Sequence, residues 1–208
     1  NIRYAWLDLQ FPAAEIFEPN AGNNGGLKQA MRGYVFRNNR NHYSPCYFVD
    51  NRGWNSENAR GFLFVGNHLE GGTRFVIGAI REALVSGNIS YHRTADWKYF
   101  ECTTVEDLVI TGNTFHQFKD ADYPDIPDTA EFISVIGYTR NLIITNNSFS
   151  GIGKSLCRLG SYGGASIQNG GIIIRNNTYS RCFSSGASLV ELQSGNWANI
   201  QIIESLIA

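Results

Sequence analysis

The chain has 208 residues and a formal net charge of −1 at pH 7. Its 17 cationic and 18 anionic side chains nearly balance, which argues against a nucleic-acid partner, because nucleic-acid-binding domains carry a basic excess. The sequence contains no run of about 20 apolar residues, so we expect no membrane insertion. No signal peptide is visible either.

A six-residue motif that ends in asparagine recurs along the chain. Counted back from that asparagine, positions −5 and −3 are apolar in each of six copies, and position −1 is Gly or Asn. The alternation predicts a strand with one buried face. Gly and Asn tolerate a left-handed backbone, so each strand is predicted to end at a tight corner. The copies are Tyr34–Asn39, Phe62–Asn67, Ala83–Asn88, Leu108–Asn113, Leu142–Asn147 and Ile172–Asn177, with a seventh, degraded copy at Ile200–Ser205.

The segments between the corners predict a second set of strands. Successive motif asparagines are 28, 21, 25, 34 and 30 residues apart, so the corner is fixed while other parts of each unit carry loops. Units stacked about 4.8 Å apart would bury one continuous core, and the stacked asparagines would form a ladder. This is the pattern of a parallel β-helix. The second strands are predicted at Tyr47–Val49, Arg74–Ile77, Tyr99–Cys102, Phe132–Ile136 and Leu189–Leu192.

An alternative is the leucine-rich repeat, whose strand consensus Leu142, Ile144, Asn147 and Phe149 also fit. That repeat keeps a narrower period and usually returns through a helix, so the β-helix is favoured. We expect a single domain over 1–208, with clear repeats over 31–208 and an irregular segment or first coil over 1–30. Because the last unit has no capping element, we expect a piece of a longer chain.

Two stretches carry a resemblance to a known family. The run 141–151 and the segment Leu108–Phe115 resemble coils of the right-handed parallel β-helix superfamily, the pectin-lyase-like fold. The resemblance implies an all-β, right-handed, single-stranded β-helix of about seven coils. Members include pectinases, other polysaccharide lyases and hydrolases, and the tailspikes of bacteriophages. The sequence has none of the pectinase signatures, such as Gly-His-Gly or Arg-Ile-Lys, so pectin-type chemistry is not expected.

Position −4 of the motif predicts an interaction surface. It alternates with the two inward positions, so it should face outward, yet it is apolar in every copy. Stacked units would place these side chains in one apolar column, which soluble monomers rarely expose. We interpret the column as a homotrimer interface like that of tailspikes; cover by another segment of the same chain is the alternative. Its residues are Val35, Leu63, Leu84, Val109, Ile143 and Ile173.

The longest unit carries a candidate catalytic loop. Five carboxylates lie within twelve residues, from Asp120 to Glu131, with two prolines among them. Glycoside hydrolases use a pair of carboxylates, and crowding raises the pKa of one member of such a pair. We predict Asp120, Asp122 and Asp125 as catalytic candidates. A solvated acidic loop and a calcium site are the alternatives; we predict no metal or cofactor.

The preceding unit mixes both charges with aromatic residues and should lie beside the acidic loop if both loops leave the same edge. Aromatic rings can stack on sugars, and basic residues could serve a lyase. The predicted substrate-binding residues are Trp97, Tyr99, Tyr123, Arg93 and Lys98.

The four cysteines have no CxxC spacing, so zinc is not expected. We predict buried, reduced thiols at Cys46, Cys102, Cys157 and Cys182. A disulfide between Cys157 and Cys182 in adjacent coils is an open alternative.

These features predict a tailspike-like protein, extracellular or on a virion, that binds a bacterial surface polysaccharide and cleaves it by hydrolysis. Two alternatives stay open. One is a non-enzymatic virion adhesin or structural component, and the other is a secreted, monomeric polysaccharide lyase.

Overall fold

A computed structural model describes residues 3–4, 8–10, 31–33, 35–51, 59–92, 98–117, 131–160, 168–183, 188–193 and 195–204. All regular elements in these ranges are β-strands, and no helix occurs among them. Within the same ranges, therefore, no helix is long and apolar enough to span a membrane. The strands are β1 Arg3–Tyr4, β2 Asp8–Gln10, β3 Met31–Arg32, β4 Val35–Arg37, β5 Arg40–Asn51, β6 Ala59–Arg60, β7 Leu63–Val65, β8 His68–Ser86, β9 Ile89–His92, β10 Lys98–Thr111, β11 Thr114–Gln117, β12 Glu131–Val135, β13 Thr139–Thr145, β14 Ser148–Ser150, β15 Ser155–Leu159, β16 Gln168–Arg175, β17 Thr178–Ser180, β18 Val190–Leu192 and β19 Asn196–Ile203.

The strands pair in parallel, each with the equivalent strand of the next repeat, and they form three rows. The motif strands make the first row, which runs through β4, β7 and the ends of β8, β10, β13, β16 and β19. The strands after the asparagine corner make the second row, β9, β11, β14 and β17. The third row joins β8, β10, β12, β15 and β18. The predicted all-β class is confirmed, and the pairing is compatible with a parallel β-helix.

The core is built by the inward positions that the motif predicts. Position −3 is buried in all six copies, and position −5 is buried in each copy from Phe62 onward; Tyr34 lies outside the described residues. In the second row, aromatic side chains stack from one repeat to the next. Phe149 lies 5.6 Å from Phe115 and 5.6 Å from Tyr179, with nearly parallel rings. Parallel register therefore turns one apolar position of the repeat into a continuous column of side chains.

Two corners of each repeat have left-handed backbone. The predicted one, at position −1, has φ between 55° and 66° in all six copies. A second left-handed residue stands at position −6, at the other end of the short motif strand, and was not predicted. There the chain uses glycine in some repeats, but it also uses Glu82 at φ 51° and Asp107 at φ 55°. Each motif strand is therefore held between two tight bends.

The predicted asparagine ladder is present. The side-chain oxygen of each motif asparagine accepts two hydrogen bonds from the asparagine of the preceding repeat, one from its backbone N–H and one from its Nδ2. From Asn67 onward, Nδ2 also donates to a backbone carbonyl of the preceding repeat. These side chains are buried, and both amide groups are satisfied, which avoids the cost of a buried unpaired group.

The ladder does not continue as asparagine beyond Asn177. Instead, the Glu204 carboxylate accepts hydrogen bonds from the backbone N–H of Asn177, at 2.9 Å, and from its Nδ2. The Tyr179 hydroxyl also donates to Glu204 Oε1, at 3.3 Å. A carboxylate with two acceptor oxygens thus replaces the amide in the degraded seventh copy, a substitution that the sequence motif did not predict.

The predicted second strands are present at β5, β8, β10, β12 and β18, and most are longer than predicted. Cys102 and Cys157 are buried free thiols, and Cys182 is free and partly buried. The prediction of reduced cysteines is confirmed for these three, and a disulfide between Cys157 and Cys182 is excluded. The side chain of Cys46 lies outside the described part of the structure.

The outward column at position −4 is aligned by the pairing of the first row. Register joins Val35 to Leu63, and continues through the other four members to Ile173. Each of these side chains is partly exposed, and Leu63 is 37% exposed. The column ends where Arg3 pairs with Val35 and Gln201 pairs with Ile173. The chain therefore carries an apolar strip with a polar residue at each end.

Candidate functional site

The two candidate loops begin and end at neighbouring points. The loop 93–97 leaves β9 after His92, and the loop 118–130 leaves β11 after Gln117; these two residues are paired in the second row. The loops return at Lys98 and Glu131, which are paired in the third row. Both loops therefore leave one edge, between the second and third rows, as predicted. We call this the loop edge.

Most of the predicted site residues lie within those two loops, outside the described residues. This holds for Asp120, Asp122 and Asp125 among the catalytic candidates, and for Arg93, Trp97 and Tyr123 among the substrate-binding candidates. The backbone of Lys98 is the first residue of β10, at the loop edge.

Tyr99 has a different environment from the one predicted. It is 3% exposed, and its ring packs on Phe115 at 5.1 Å and on Phe132 at 5.4 Å. Its hydroxyl donates to the backbone carbonyl of His116 at 3.2 Å. Burial raises the pKa of this phenol above its ordinary value. The structure thus places Tyr99 in the core, and not among residues that could stack on a sugar.

A buried carboxylate marks the third-row side of the loop edge. Glu131, the last of the five loop carboxylates, is 4% exposed, and its Oε1 lies 3.3 Å from Lys154 Nζ and 3.5 Å from Arg158 Nη1. Arg158 Nε is also 3.6 Å from Glu191 Oε1. Burying a charge is costly unless it is paired, and the two cations supply that pairing. We call Glu131, Lys154, Arg158 and Glu191 the charged cluster.

The charged cluster is fixed by the register of short strands. Glu131 begins β12 and pairs with Ser155, the first residue of β15, while Arg158 pairs with Glu191 on β18. Lys154 comes from the short connection 151–154, which replaces a long loop in this repeat. The two cations remain 42% and 37% exposed, whereas the carboxylate that holds them is buried. Two cationic groups are therefore presented to solvent directly beside the returning acidic loop.

Two polar atoms within this cluster have no hydrogen-bond partner among the described residues. They are Glu131 Oε2 and Ser155 Oγ, and both are buried. Since Glu131 and Ser155 are register partners, both atoms belong to the same part of the third row. Sequence reasoning included Glu131 in the acidic run but did not separate it from the aspartates. The signal available was its place at the first residue of a predicted strand.

A second group of charges lies at the opposite end of the motif strand. Arg81 Nε is 3.2 Å from Glu106 Oε2, and Arg81 Nη2 is 3.1 Å from the Tyr138 hydroxyl. Arg140 lies over the Tyr138 ring, and its Nη1 is 3.9 Å from Glu106 Oε1. These residues neutralise one another across neighbouring repeats, which indicates a structural network.

In the described part of the chain, no three His, Cys, Asp or Glu side chains are grouped closely enough to hold a metal ion. Comparisons with protein-family models, with curated proteins and with solved structures return no match.

Proposed function

We propose that the chain is a right-handed parallel β-helix of about seven coils from a tailspike-like surface protein, and that it binds and hydrolyses a bacterial surface polysaccharide at the loop edge. The observation that carries the proposal is the position of the charged cluster. The acidic loop returns to the third row at Glu131, where Lys154 and Arg158 stand half-exposed. Carboxylates and cations thus meet at one edge of a rigid sheet, which is a favourable scaffold for a site on loops.

In this proposal the loop aspartates carry the chemistry. One of Asp120, Asp122 and Asp125 acts as the acid and donates a proton to the glycosidic oxygen as the bond from that oxygen to the anomeric carbon breaks. A second aspartate is the base that accepts a proton from the attacking water, whose oxygen forms the new bond to the anomeric carbon. Arg93, Lys98, Trp97 and Tyr123 provide further binding contacts.

Lys154 and Arg158 have the role of binding polar or anionic groups of the polysaccharide. Arg158 is a planar, multiple donor suited to carboxylate and hydroxyl groups. Glu131 is a positioning residue, because its buried Oε1 contacts both cations and holds them next to the loop. No cofactor is required for this chemistry.

The apolar column supports an assembly of identical chains, which we take to be a homotrimer. Its six rungs, spaced about 4.8 Å apart, make a strip roughly 24 Å long. A second copy presents the same rungs at the same spacing, so two strips match rung for rung. A partly exposed strip of this kind is unfavourable in water and favourable between subunits.

The proposal is tested by incubating the protein with a panel of purified capsular and O-antigen polysaccharides. We expect new reducing ends from at least one polysaccharide, without the near-ultraviolet absorbance of unsaturated products. Products that absorb would establish a lyase instead. Binding with no release of reducing ends would establish an adhesin, and the absence of both binding and cleavage would overturn the proposal.

A further inference from the structure

An aromatic stack lies on the outer face of the second row. The rings of Tyr91 and His116 are 5.3 Å apart and nearly parallel, with an interplanar angle of 9°. The two residues are register partners on β9 and β11, and both side chains are partly exposed. His68 extends the stack on the other side of Tyr91, at 5.8 Å with a tilted ring.

The stack ends in serines. The register partner of His116 in the following repeat is Ser150, and the partner of Ser150 is Ser180. Ser150 is partly exposed and Ser180 is exposed. Neither side chain is large enough to cover an imidazole ring, so the column changes from flat rings to small hydroxyl groups within one repeat.

This position adjoins the loop edge. Only Gln117 separates His116 from the loop 118–130, and Tyr91 lies at the equivalent place before the loop 93–97. Ser150 ends β14, next to the short connection that supplies Lys154 to the charged cluster. The aromatic stack and the charged cluster therefore flank the same edge from its two sides.

We propose that His116, supported by Tyr91, and the hydroxyls of Ser150 and Ser180 form a binding subsite for one pyranose unit of the polysaccharide. A pyranose has an apolar face of C–H groups, which packs on a flat ring, and a rim of hydroxyls, which exchange hydrogen bonds with serine. A nucleobase would also stack on such rings, but the near-neutral charge of the chain does not favour a phosphate backbone. The inference rests on the proposed polysaccharide-binding function.

The subsite is tested with variants that separate ring stacking from other effects. His116→Leu removes the flat ring, His116→Phe keeps one, and Ser150→Leu fills the space beside it. Thr178→Leu is the matched control, since Thr178 is an exposed threonine at the start of β17, outside this column. Each variant is compared with the wild-type protein on an array of capsular and O-antigen polysaccharides. Thermal unfolding of each variant establishes that it is folded.

We expect His116→Leu and Ser150→Leu to weaken binding to the array polysaccharide by about tenfold or more, which corresponds to about 1.4 kcal/mol. His116→Phe and Thr178→Leu should bind within about twofold of the wild type. If the wild type binds a polysaccharide and His116→Leu and Ser150→Leu bind it equally well, the subsite is wrong while the proposed function stands. If the wild type binds none of the polysaccharides, both are overturned.

Discussion

The backbone N–H and the side-chain Nδ2 of Asn113 both donate to Oδ1 of Asn147, at 3.0 and 2.9 Å. The same Nδ2 group also donates to the carbonyl of Val85 at 3.0 Å. One amide side chain therefore ties together three successive repeats. Because this arrangement needs an acceptor and two donors on one short side chain, asparagine is the residue that fits it.

This geometry predicts a severe effect of Asn113→Asp. The carboxylate keeps the acceptor oxygen but replaces the donor NH₂ with an oxygen that faces the acceptors on Asn147 and Val85. We expect the free energy of unfolding to fall by about 3 kcal/mol or more, because a buried charge is left without a donor. Urea unfolding at neutral pH measures the loss. Below about pH 4 the protonated carboxyl can donate again, so part of the loss should be recovered.

Asn146→Asp is the matched control for that variant. Asn146 is the neighbouring residue, but it is exposed and has a φ of 57°, which aspartate tolerates nearly as well as asparagine. Its cost should stay below about 1 kcal/mol. Equal losses for the two variants would contradict the importance of the ladder.

The charged cluster predicts an asymmetry between its members. Replacing Lys154 and Arg158 together with methionine leaves the Glu131 carboxylate buried without its cations, at a cost of about 3–5 kcal/mol. Glu131→Gln leaves two half-exposed cations that can turn to water, so its cost should be nearer 1 kcal/mol. Urea unfolding of both variants decides the order. A larger loss for Glu131→Gln would show that the carboxylate has another partner.

The core thiols predict a loss of stability at alkaline pH. Burial, and secondarily the charge of Glu101, raises the pKa of the Cys102 thiol to about 12 from 9.0. The folded protein therefore keeps this proton where the unfolded chain loses it. The resulting stability is complete below pH 9 and decreases as pH rises toward 12, by up to about 1.4 kcal/mol per pH unit.

Cys102→Ala should remove that part of the pH dependence. Urea unfolding between pH 8 and pH 11 should give a shallower decline for the variant than for the wild type. A decline remains, because burial also raises the pKa of the Cys157 thiol. Identical slopes for the two proteins would refute the assignment to Cys102.

The apolar column predicts that association depends on its central residues. Val109→Lys places a charge in the middle of the strip, where a subunit contact would have to bury it. We expect light scattering to give a trimer for the wild type and a monomer for Val109→Lys. Thr178→Lys, outside the column, should remain trimeric. A wild-type mass that is monomeric over the whole accessible concentration range would remove the interface.

Much of the fold could be predicted from the sequence because each repeat states it again. Phe64, Val85 and Ile110 occupy one inward position, and that periodicity is visible without any tertiary information. The ladder follows for the same reason, since a polar residue repeated at one register position must meet its own copies. Glu204 was missed because it stands one position before the expected asparagine and replaces it by different chemistry.

The candidate site was less predictable because it is built from residues that do not repeat. Glu131 and Lys154 lie in different connections, and only the register of β12 with β15 brings them together. Tyr99 was misjudged as a surface aromatic, since a loop rich in charges precedes it. In the structure it faces Phe115 and Phe132, and strand alternation around a loop end is too short to settle which way a ring points.

The central claim is that the loop aspartates carry the cleavage of a polysaccharide. The direct measurement is the rate of reducing-end release from a polysaccharide that the wild type cleaves, for Asp120→Asn, Asp122→Asn and Asp125→Asn. Asp107→Asn is the control, because Asp107 is exposed at a left-handed corner that asparagine also accepts. We expect at least one loop variant to lose about 100-fold or more in rate, the range of general acid–base catalysis, and the control to keep its rate. Full activity in all three loop variants would contradict the account.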